Sequence, residues 1–189
     1  MPSFTLVSSF EPTPTNNPSI LTATKLLKAA KILSLPVYTT TQNRARLGTH
    51  VPELLEHFAT ADLKIDADKT RFSMWIPEVA AHFASAPKSA IVLVGIESHI
   101  CVTQTALDAL AAGHAVYVLA DGVSSCNPQE VPVALARLRA AGAVVTSSES
   151  FLYELMGDAA IPEFRAMAGL VKETSKDTKA TVGALLSRI

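Results

Sequence analysis

An unbroken apolar run at residues 90–94 (AIVLV) is the feature that most restricts the fold of this chain. Such a run is typical of a strand buried on both faces, which occurs mainly in parallel sheets covered by helices. Gly95 ends the run, and a helical pattern follows from Ser98 to Ala112, with Gly113 after it. The segment therefore predicts a central parallel strand that leads directly into a helix.

Strand-like and helix-like segments alternate along the rest of the chain. Further strands are predicted at residues 4–7, 36–41, 62–66, 115–120 and 143–146, and the central one spans 89–96. Helices are predicted at residues 19–34, 51–58, 76–86, 98–112, 127–141, 148–155 and 162–172, with a loop at 42–51. This alternation predicts an α/β fold with a mainly parallel sheet of about six strands, covered on both faces.

Composition narrows the class of protein. The length of 189 residues suits one domain, and 49% hydrophobic residues predict a large buried core. A net charge of −1 gives no electrostatic basis for binding nucleic acid or an anionic membrane, and the apolar runs are too short to span a bilayer. With only Cys101 and Cys126, we expect a reducing compartment, and we predict a cytoplasmic location with a mitochondrial one left open.

Cys101 is the strongest candidate for a reactive side chain. It lies in the first turn of the helix predicted after the buried strand. A helix N-terminus carries partial positive charge and unpaired N–H groups, so it favours a thiolate and can hold an oxyanion. The carboxyl edge of a parallel sheet is also where α/β proteins bind their ligands. The alternative interpretation is a small buried hydrophobic side chain.

Four stretches of the chain carry a resemblance to known proteins: TTTQNRARLGTHVPEL, DKTRFSMW, VGIESHICVTQTALDAL and VYVLADGVSSCNPQEVPVALARLRAAGA. They resemble the isochorismatase-like cysteine hydrolase family, in particular its isochorismatase domain-containing branch, and the resemblance runs from about residue 20 to residue 171. It implies a three-layer α/β/α sandwich that is often oligomeric. It also implies that an aspartate, Lys69 and Cys101 act together, with Cys101 forming an acyl-enzyme that water hydrolyses.

The same resemblance assigns the oxyanion hole and the role of the lysine. It implies that the backbone N–H groups of Glu97 and Cys101 bind the oxyanion, with a cis peptide bond between Ile96 and Glu97. From the residues alone, Lys69 is either a solvated side chain in an acidic segment or a cation that stabilises a thiolate. The resemblance favours the second interpretation.

The aspartate of the family has no evident counterpart in this chain. In the family it ends the first strand, whereas the first aspartate here is Asp62 and the only acidic residue before Ser19 is Glu11. The predicted first strand is followed by Ser8 and Ser9, which are not carboxylate bases. Three explanations stay open at this stage: an altered gene model or splice form, a natural pseudoenzyme, and Glu11 as a substitute acid.

Four further side chains are candidate substrate contacts. Gln42 ends the second strand, Phe72 and Trp75 follow Lys69, and His99 lies beside the predicted nucleophile. Core packing or an oligomer interface is the alternative for the two aromatic residues, and a structural role is the alternative for the histidine.

No metal and no cofactor are predicted. The loop after the second strand contains His50, and His57 follows it, but no D-x-H spacing accompanies them. Cys126 is interpreted as a buried, inert thiol, and Asp121 as a cap on the turn that follows its strand.

These observations predict three segments: a divergent N-terminal segment at 1–18, an isochorismatase-like hydrolase domain at 19–172 and a C-terminal tail at 173–189. The predicted function is hydrolysis of a small amide or related substrate by Cys101 and Lys69, impaired because the aspartate is absent. The alternative is a non-catalytic pseudoenzyme that serves as a ligand-binding or oligomeric interaction protein. The expected partners are a small-molecule substrate and further copies of the chain, with no nucleic acid and no membrane.

Overall fold

A computed structural model describes the backbone of residues 4–9 and all of residues 17–84 and 88–186. The strands in these ranges are β1 Phe4–Ser9, β2 Pro36–Gln42, β3 Asp62–Lys69, β4 Ala90–Gly95, β5 Ala115–Val123 and β6 Val144–Thr146. The helices are α1 Pro18–Ile32, α2 Arg44–Leu47, α3 Pro52–Phe58, α4 Pro77–Ala84, α5 Thr103–Ala111, α6 Glu130–Ala140, α7 Ser148–Met156, α8 Phe164–Glu173 and α9 Ser175–Leu185. A π-helical turn, Ser98–Val102, precedes α5.

The described strands form one parallel sheet in the order β3-β2-β1-β4-β5-β6. The order reverses direction at β1, which pairs with β2 on one side and with β4 on the other. Because all strands run the same way, their carboxyl ends lie along one edge. In an open α/β sheet, ligands bind at this edge near the point where the strand order reverses.

Helices cover both faces of the sheet. Along β4, Val92 and Val94 pack into a core with α1, α3, α7 and α8, whereas Ile91 and Leu93 pack into a second core with α4, α5 and α6. Every residue of β4 is buried, as expected for a central parallel strand. The predicted three-layer α/β fold is therefore confirmed. No helix in the described ranges is long and apolar enough to cross a membrane.

Several local predictions need correction. The segment 42–51 was predicted to be a loop but contains the short helix α2, and β5 continues past Asp121 to Val123. Asp121 does not cap the turn after its own strand. It is fully buried and accepts hydrogen bonds from the backbone N–H (2.7 Å) and hydroxyl of Ser148, so it caps α7.

Two side-chain contacts stabilise α1. The Asn17 side chain accepts a hydrogen bond from Ser19 N–H, which caps the helix. Lys25 is buried and donates to Thr178 Oγ1 of α9 at 3.0 Å. Burial lowers the pKa of Lys25, and the negative charges of Asp121 and Glu149 partly oppose that effect.

Candidate active site

The carboxyl ends of β2, β3 and β4 lie along one sheet edge. Gln42 and Lys69 are paired in register at the ends of β2 and β3, and Gly95 ends β4 immediately before the turn that contains Cys101. Ser9, the last residue of β1, pairs with Gly95 between them. The fold thus places Lys69 and the Cys101 turn on the same edge.

The Lys69 ammonium is buried and donates hydrogen bonds to oxygen atoms of the sheet edge and of the loop after β3. Lys69 is 4% exposed, and its Nζ donates to Gln42 Oε1 at 2.6 Å and to the carbonyl oxygens of Arg71 and Phe72 at 3.0 Å each. Gln42 is itself fixed, because its Nε2 donates to the Thr70 carbonyl at 2.8 Å. Oxygen acceptors suit a protonated lysine, because an ammonium group only donates hydrogen bonds.

The two aspartates beside Lys69 in sequence form bonds away from its ammonium. Asp68 accepts from Thr41 Oγ1 at 2.9 Å and from Arg44 N–H at 2.8 Å, and Asp66 pairs with the Arg44 guanidinium at 2.9 Å. The bond from the Arg44 N–H is the largest cause that lowers the pKa of Asp68. Strand alternation explains this arrangement of Asp68, because successive side chains point to opposite faces.

Cys101 lies within the π-helical turn and is 8% exposed. The hydroxyl of Thr105 donates to the Cys101 carbonyl at 2.6 Å and accepts from the Met74 N–H at 2.9 Å. Since the Phe72 carbonyl accepts from Lys69, the loop after β3 connects the lysine to the cysteine helix through a short series of contacts. A cavity of about 10 Å³, room for roughly one water molecule, lies against Cys101, Met74 and Thr105.

The backbone N–H groups of the turn differ in whether they already donate a hydrogen bond to a backbone carbonyl. Those of Ile100 and Val102 donate to the Glu97 carbonyl at 3.1 and 3.2 Å, and that of Ser98 donates to the Ser124 carbonyl at 2.9 Å. Within the described ranges, the Glu97 N–H has no hydrogen-bond acceptor. The Ile96–Glu97 peptide bond is cis, as the family resemblance implied.

Phe72, Trp75 and His99, three of the predicted substrate contacts, lie in different surroundings. Phe72 is 52% exposed beside the Lys69 contacts, whereas Trp75 packs on the rings of Phe83 and His114 at 5.2 and 5.3 Å. His99 is partly exposed, and its Nδ1 lies 3.0 Å from Ser125 Oγ. These positions put Phe72 and His99 near the edge of the site and Trp75 within a cluster of aromatic rings.

Cys126 requires a correction, because it is exposed rather than buried. Its N–H donates to Glu97 Oε2 at 2.7 Å, so this residue contacts the Cys101 turn through its backbone. Glu11, the candidate substitute acid, lies outside the described residues.

The histidines weighed as metal ligands have other contacts. His50 is buried, with Nε2 at 3.2 Å from both Thr39 Oγ1 and Asp66 Oδ1, and His57 pairs with Glu56 at 3.3 Å. No group of three or more potential metal-ligating His, Cys, Asp or Glu side chains occurs in the parts of the chain that the structure describes.

Sequence reasoning missed the hydroxyl groups that hold this site together. Thr105 connects the loop after β3 to Cys101, and Ser124 and Ser125 contact the Cys101 turn from the end of β5. The available signal was the pair of serines in the ADGVSS stretch, which the family resemblance covered without giving it a role.

Known proteins resemble this chain in sequence and in fold. The model of the isochorismatase domain matches residues 5–150. The secreted isochorismatase effector Isc1 of Phytophthora sojae is 41% identical over 163 residues, covering 84% of this chain and 77% of the relative. Human isochorismatase domain-containing protein 2 is 39% identical over 156 residues, covering 82% of this chain and 74% of the relative.

Solved structures give the same result. The MAR1 ribonuclease of Caenorhabditis elegans superposes with a TM-score of 0.82 at 34% identity, covering 90% of each chain. The YcaC gene product of Escherichia coli, described as an octameric hydrolase, shares the fold with a TM-score of 0.78 at 21% identity, covering 99% of this chain and 95% of that one. With its parallel sheet and a cysteine turn after the central strand, the chain belongs to the isochorismatase domain family.

Proposed function

We propose that this chain is a cysteine hydrolase that cleaves a small amide or a related acyl substrate, with Cys101 as nucleophile and Lys69 as its cationic partner. The observation that carries the proposal is the buried ammonium of Lys69, which donates to Gln42, Arg71 and Phe72 at the sheet edge where the Cys101 turn begins. A fixed positive charge at such a position stabilises a thiolate.

The mechanism starts from a thiolate at Cys101. Its sulfur attacks the substrate carbonyl carbon, and the negative charge moves to the carbonyl oxygen. The backbone N–H groups of Glu97 and Cys101 stabilise that oxyanion. Collapse of the adduct expels the amine, which takes a proton from water, and a second water hydrolyses the thioester.

Three described carboxylates near the site have other hydrogen-bond partners. Asp66 and Asp68 bond to Arg44, and Glu97 accepts from the Cys126 N–H. A chain that lacks the carboxylate should turn over substrate several orders of magnitude more slowly than a complete triad.

A paired assay tests the proposal. The first arm measures hydrolysis of a panel of small primary amides by the full chain and by Cys101→Ala, and we expect slow turnover that the substitution abolishes. The second arm measures alkylation by iodoacetamide at neutral pH, with the exposed Cys126 as internal control. Faster labelling of the buried Cys101 than of Cys126 would identify an activated thiolate, because exposure alone favours Cys126.

Other outcomes of the same assay point elsewhere. Slow labelling of Cys101 together with no turnover would overturn the hydrolase proposal in favour of a pseudoenzyme that binds a ligand or another copy of the chain.

A single-stranded RNA belongs in the panel because a structural relative at 34% identity is described as a ribonuclease. A net charge of −1 gives the chain no overall electrostatic attraction to RNA, so we expect none to be cleaved.

We further propose that the chain assembles as a homo-oligomer. The description of a protein with the same fold as octameric supports this proposal, and so does the exposure of Phe72 and Leu47 near the site. Light scattering coupled to size exclusion tests it, and a mass of about 20 kDa would contradict it.

A further inference from the structure

Ser125 contacts the Cys101 turn through its side chain and has no part in the mechanism above. Its Oγ lies 3.1 Å from the Ser98 N–H, 2.5 Å from Ser98 Oγ and 3.0 Å from His99 Nδ1. A hydroxyl group donates one hydrogen bond and accepts two, so these three partners fill its capacity. All three belong to the two residues that follow Glu97.

Ser124 and Cys126, the neighbours of Ser125, also form hydrogen bonds with the Cys101 turn. The Ser124 carbonyl also accepts from the Ser98 N–H, and the Cys126 N–H donates to the Glu97 carboxylate. The Ser124 hydroxyl instead contacts the start of α1, at 2.7 Å from Asn17 Nδ2 and 3.1 Å from Ser19 Oγ. Ser124–Cys126 therefore joins the Cys101 turn to the start of α1.

This arrangement fixes Glu97 and leaves its N–H available. The Ser98 N–H belongs to the same peptide group as the Glu97 carbonyl, which accepts from Ile100 and Val102. Holding the Ser98 N–H therefore fixes the orientation of that peptide group, while the carboxylate fixes the side chain. Among the described residues the Glu97 N–H has no acceptor, so it can donate a hydrogen bond to a ligand.

We propose that Ser125 is a positioning residue for the oxyanion hole: its hydroxyl sets the orientation of the Glu97–Ser98 peptide so that the Glu97 N–H points at a bound oxyanion. The inference rests on the proposed function, because it needs Cys101 to form a tetrahedral adduct. It predicts that Ser125 affects the stabilisation of an oxyanion and leaves the reactivity of the thiolate unchanged.

Two probes of the full chain separate these effects. Iodoacetamide alkylates Cys101 by displacing iodide at carbon, a reaction that creates no oxyanion. Propionaldehyde adds the Cys101 sulfur to its carbonyl carbon as a hemithioacetal, whose oxygen carries negative charge until it is protonated. Protection of Cys101 from alkylation, followed by mass spectrometry of the peptides, gives the apparent aldehyde affinity.

The variants are Ser125→Ala, the conservative Ser125→Thr, and Ser150→Ala as a control on an exposed position of α7. For Ser125→Ala we expect about a tenfold weaker aldehyde affinity, comparable with or smaller than the loss of one oxyanion donor, and an alkylation rate within about twofold of the parent. Ser125→Thr keeps a hydroxyl and should restore most of the affinity. Ser150→Ala should match the parent in both measurements.

Each other result overturns the inference. Unchanged aldehyde affinity in Ser125→Ala, or an equal loss of affinity and alkylation rate, would show that the hydroxyl does not act on the oxyanion hole. Absence of aldehyde protection in the parent chain, with Cys101 still alkylated rapidly, would have the same meaning. Slow alkylation of Cys101 in the parent chain would instead contradict the proposed hydrolase function itself.

Discussion

At the scale of single residues, Lys69 combines burial with a positive charge that donates to an amide oxygen and two backbone carbonyls. A buried ammonium costs free energy unless hydrogen bonds satisfy its protons, and the Gln42 amide and two carbonyls do so. A positive charge held at this sheet edge favours a thiolate at Cys101.

Substitution of Lys69 by Met should slow alkylation of Cys101 by about tenfold or more, since the cation that favours the thiolate is lost. The matched control is Lys64→Met, in the same strand, where the ammonium is exposed and pairs with Asp62 at 2.7 Å. Mass spectrometry of iodoacetamide-treated protein at neutral pH measures both rates. Equal rates in the parent and in Lys69→Met would show that the lysine does not act on the thiol.

The sequence predicted residue types and motif positions better than it predicted exposure. Motifs predicted Cys101 and Lys69 as site residues, and the structure places Lys69 and the Cys101 turn on one sheet edge. The cis Ile96–Glu97 peptide bond that the resemblance implied is present. Cys126 was wrongly expected to be buried, because β5 runs on to Val123 and the next residues turn outward over the Cys101 turn. The hydroxyl contacts of Ser125 join segments far apart in the sequence, and no local pattern encodes such pairing.

At the scale of elements, β5 and α1 approach closely at Gly122. A Cβ built at this position would lie 2.5 Å from Val94 Cγ1 and 3.3 Å from Thr22 Cγ2. Real Cβ atoms do not approach that closely, so the Val94 side chain or the elements around Gly122 must shift to admit a methyl group. The absence of a side chain at Gly122 thus allows β5, which leads into Ser124 and Ser125, to pack closely against α1.

Gly122→Ala should lower the free energy of unfolding by about 1–3 kcal/mol, the usual cost of overpacking a core. The matched control is Gly169→Ala in α8, where an added Cβ meets nothing within 4 Å. That control should gain about 0.5–1 kcal/mol, because alanine favours a helix interior over glycine. Urea denaturation measures both, and equal stabilities would show that β5 and α1 separate at little cost.

Element types were predictable because each long segment has a clear period, whereas their ends were not. The helix expected from Ser98 begins with a π-helical turn, in which Val102 N–H reaches the Glu97 carbonyl. Residue periodicity does not distinguish that first turn from an α-helical one. The helix α2 was missed because four residues are too few to show a helical period.

At the scale of the whole molecule, the sheet separates two cores that face different sets of helices. Ile20 of α1 lies in one core and Ile91 of β4 in the other. Packing changes on one face should therefore leave the other face unaffected, provided that the sheet itself stays in place.

Ile20→Val and Ile91→Val should each lower the free energy of unfolding by about 0.5–1.5 kcal/mol. We expect the double variant to show their sum within about 0.5 kcal/mol, as usual for sites that share no partners. Denaturant unfolding of the four proteins in the cycle measures the coupling. A coupling above about 1 kcal/mol would show that the two cores respond as one unit.

The position of β1 in the middle of the sheet has a consequence for synthesis on the ribosome. Its partner β2 follows within a few dozen residues, but its other neighbour, β4, ends only at Gly95. Until about half of the chain has left the ribosome, one side of β1 remains an unpaired strand edge, open to pairing with other chains. Translation pauses before residue 95 should therefore lengthen the period in which a nascent chain can aggregate.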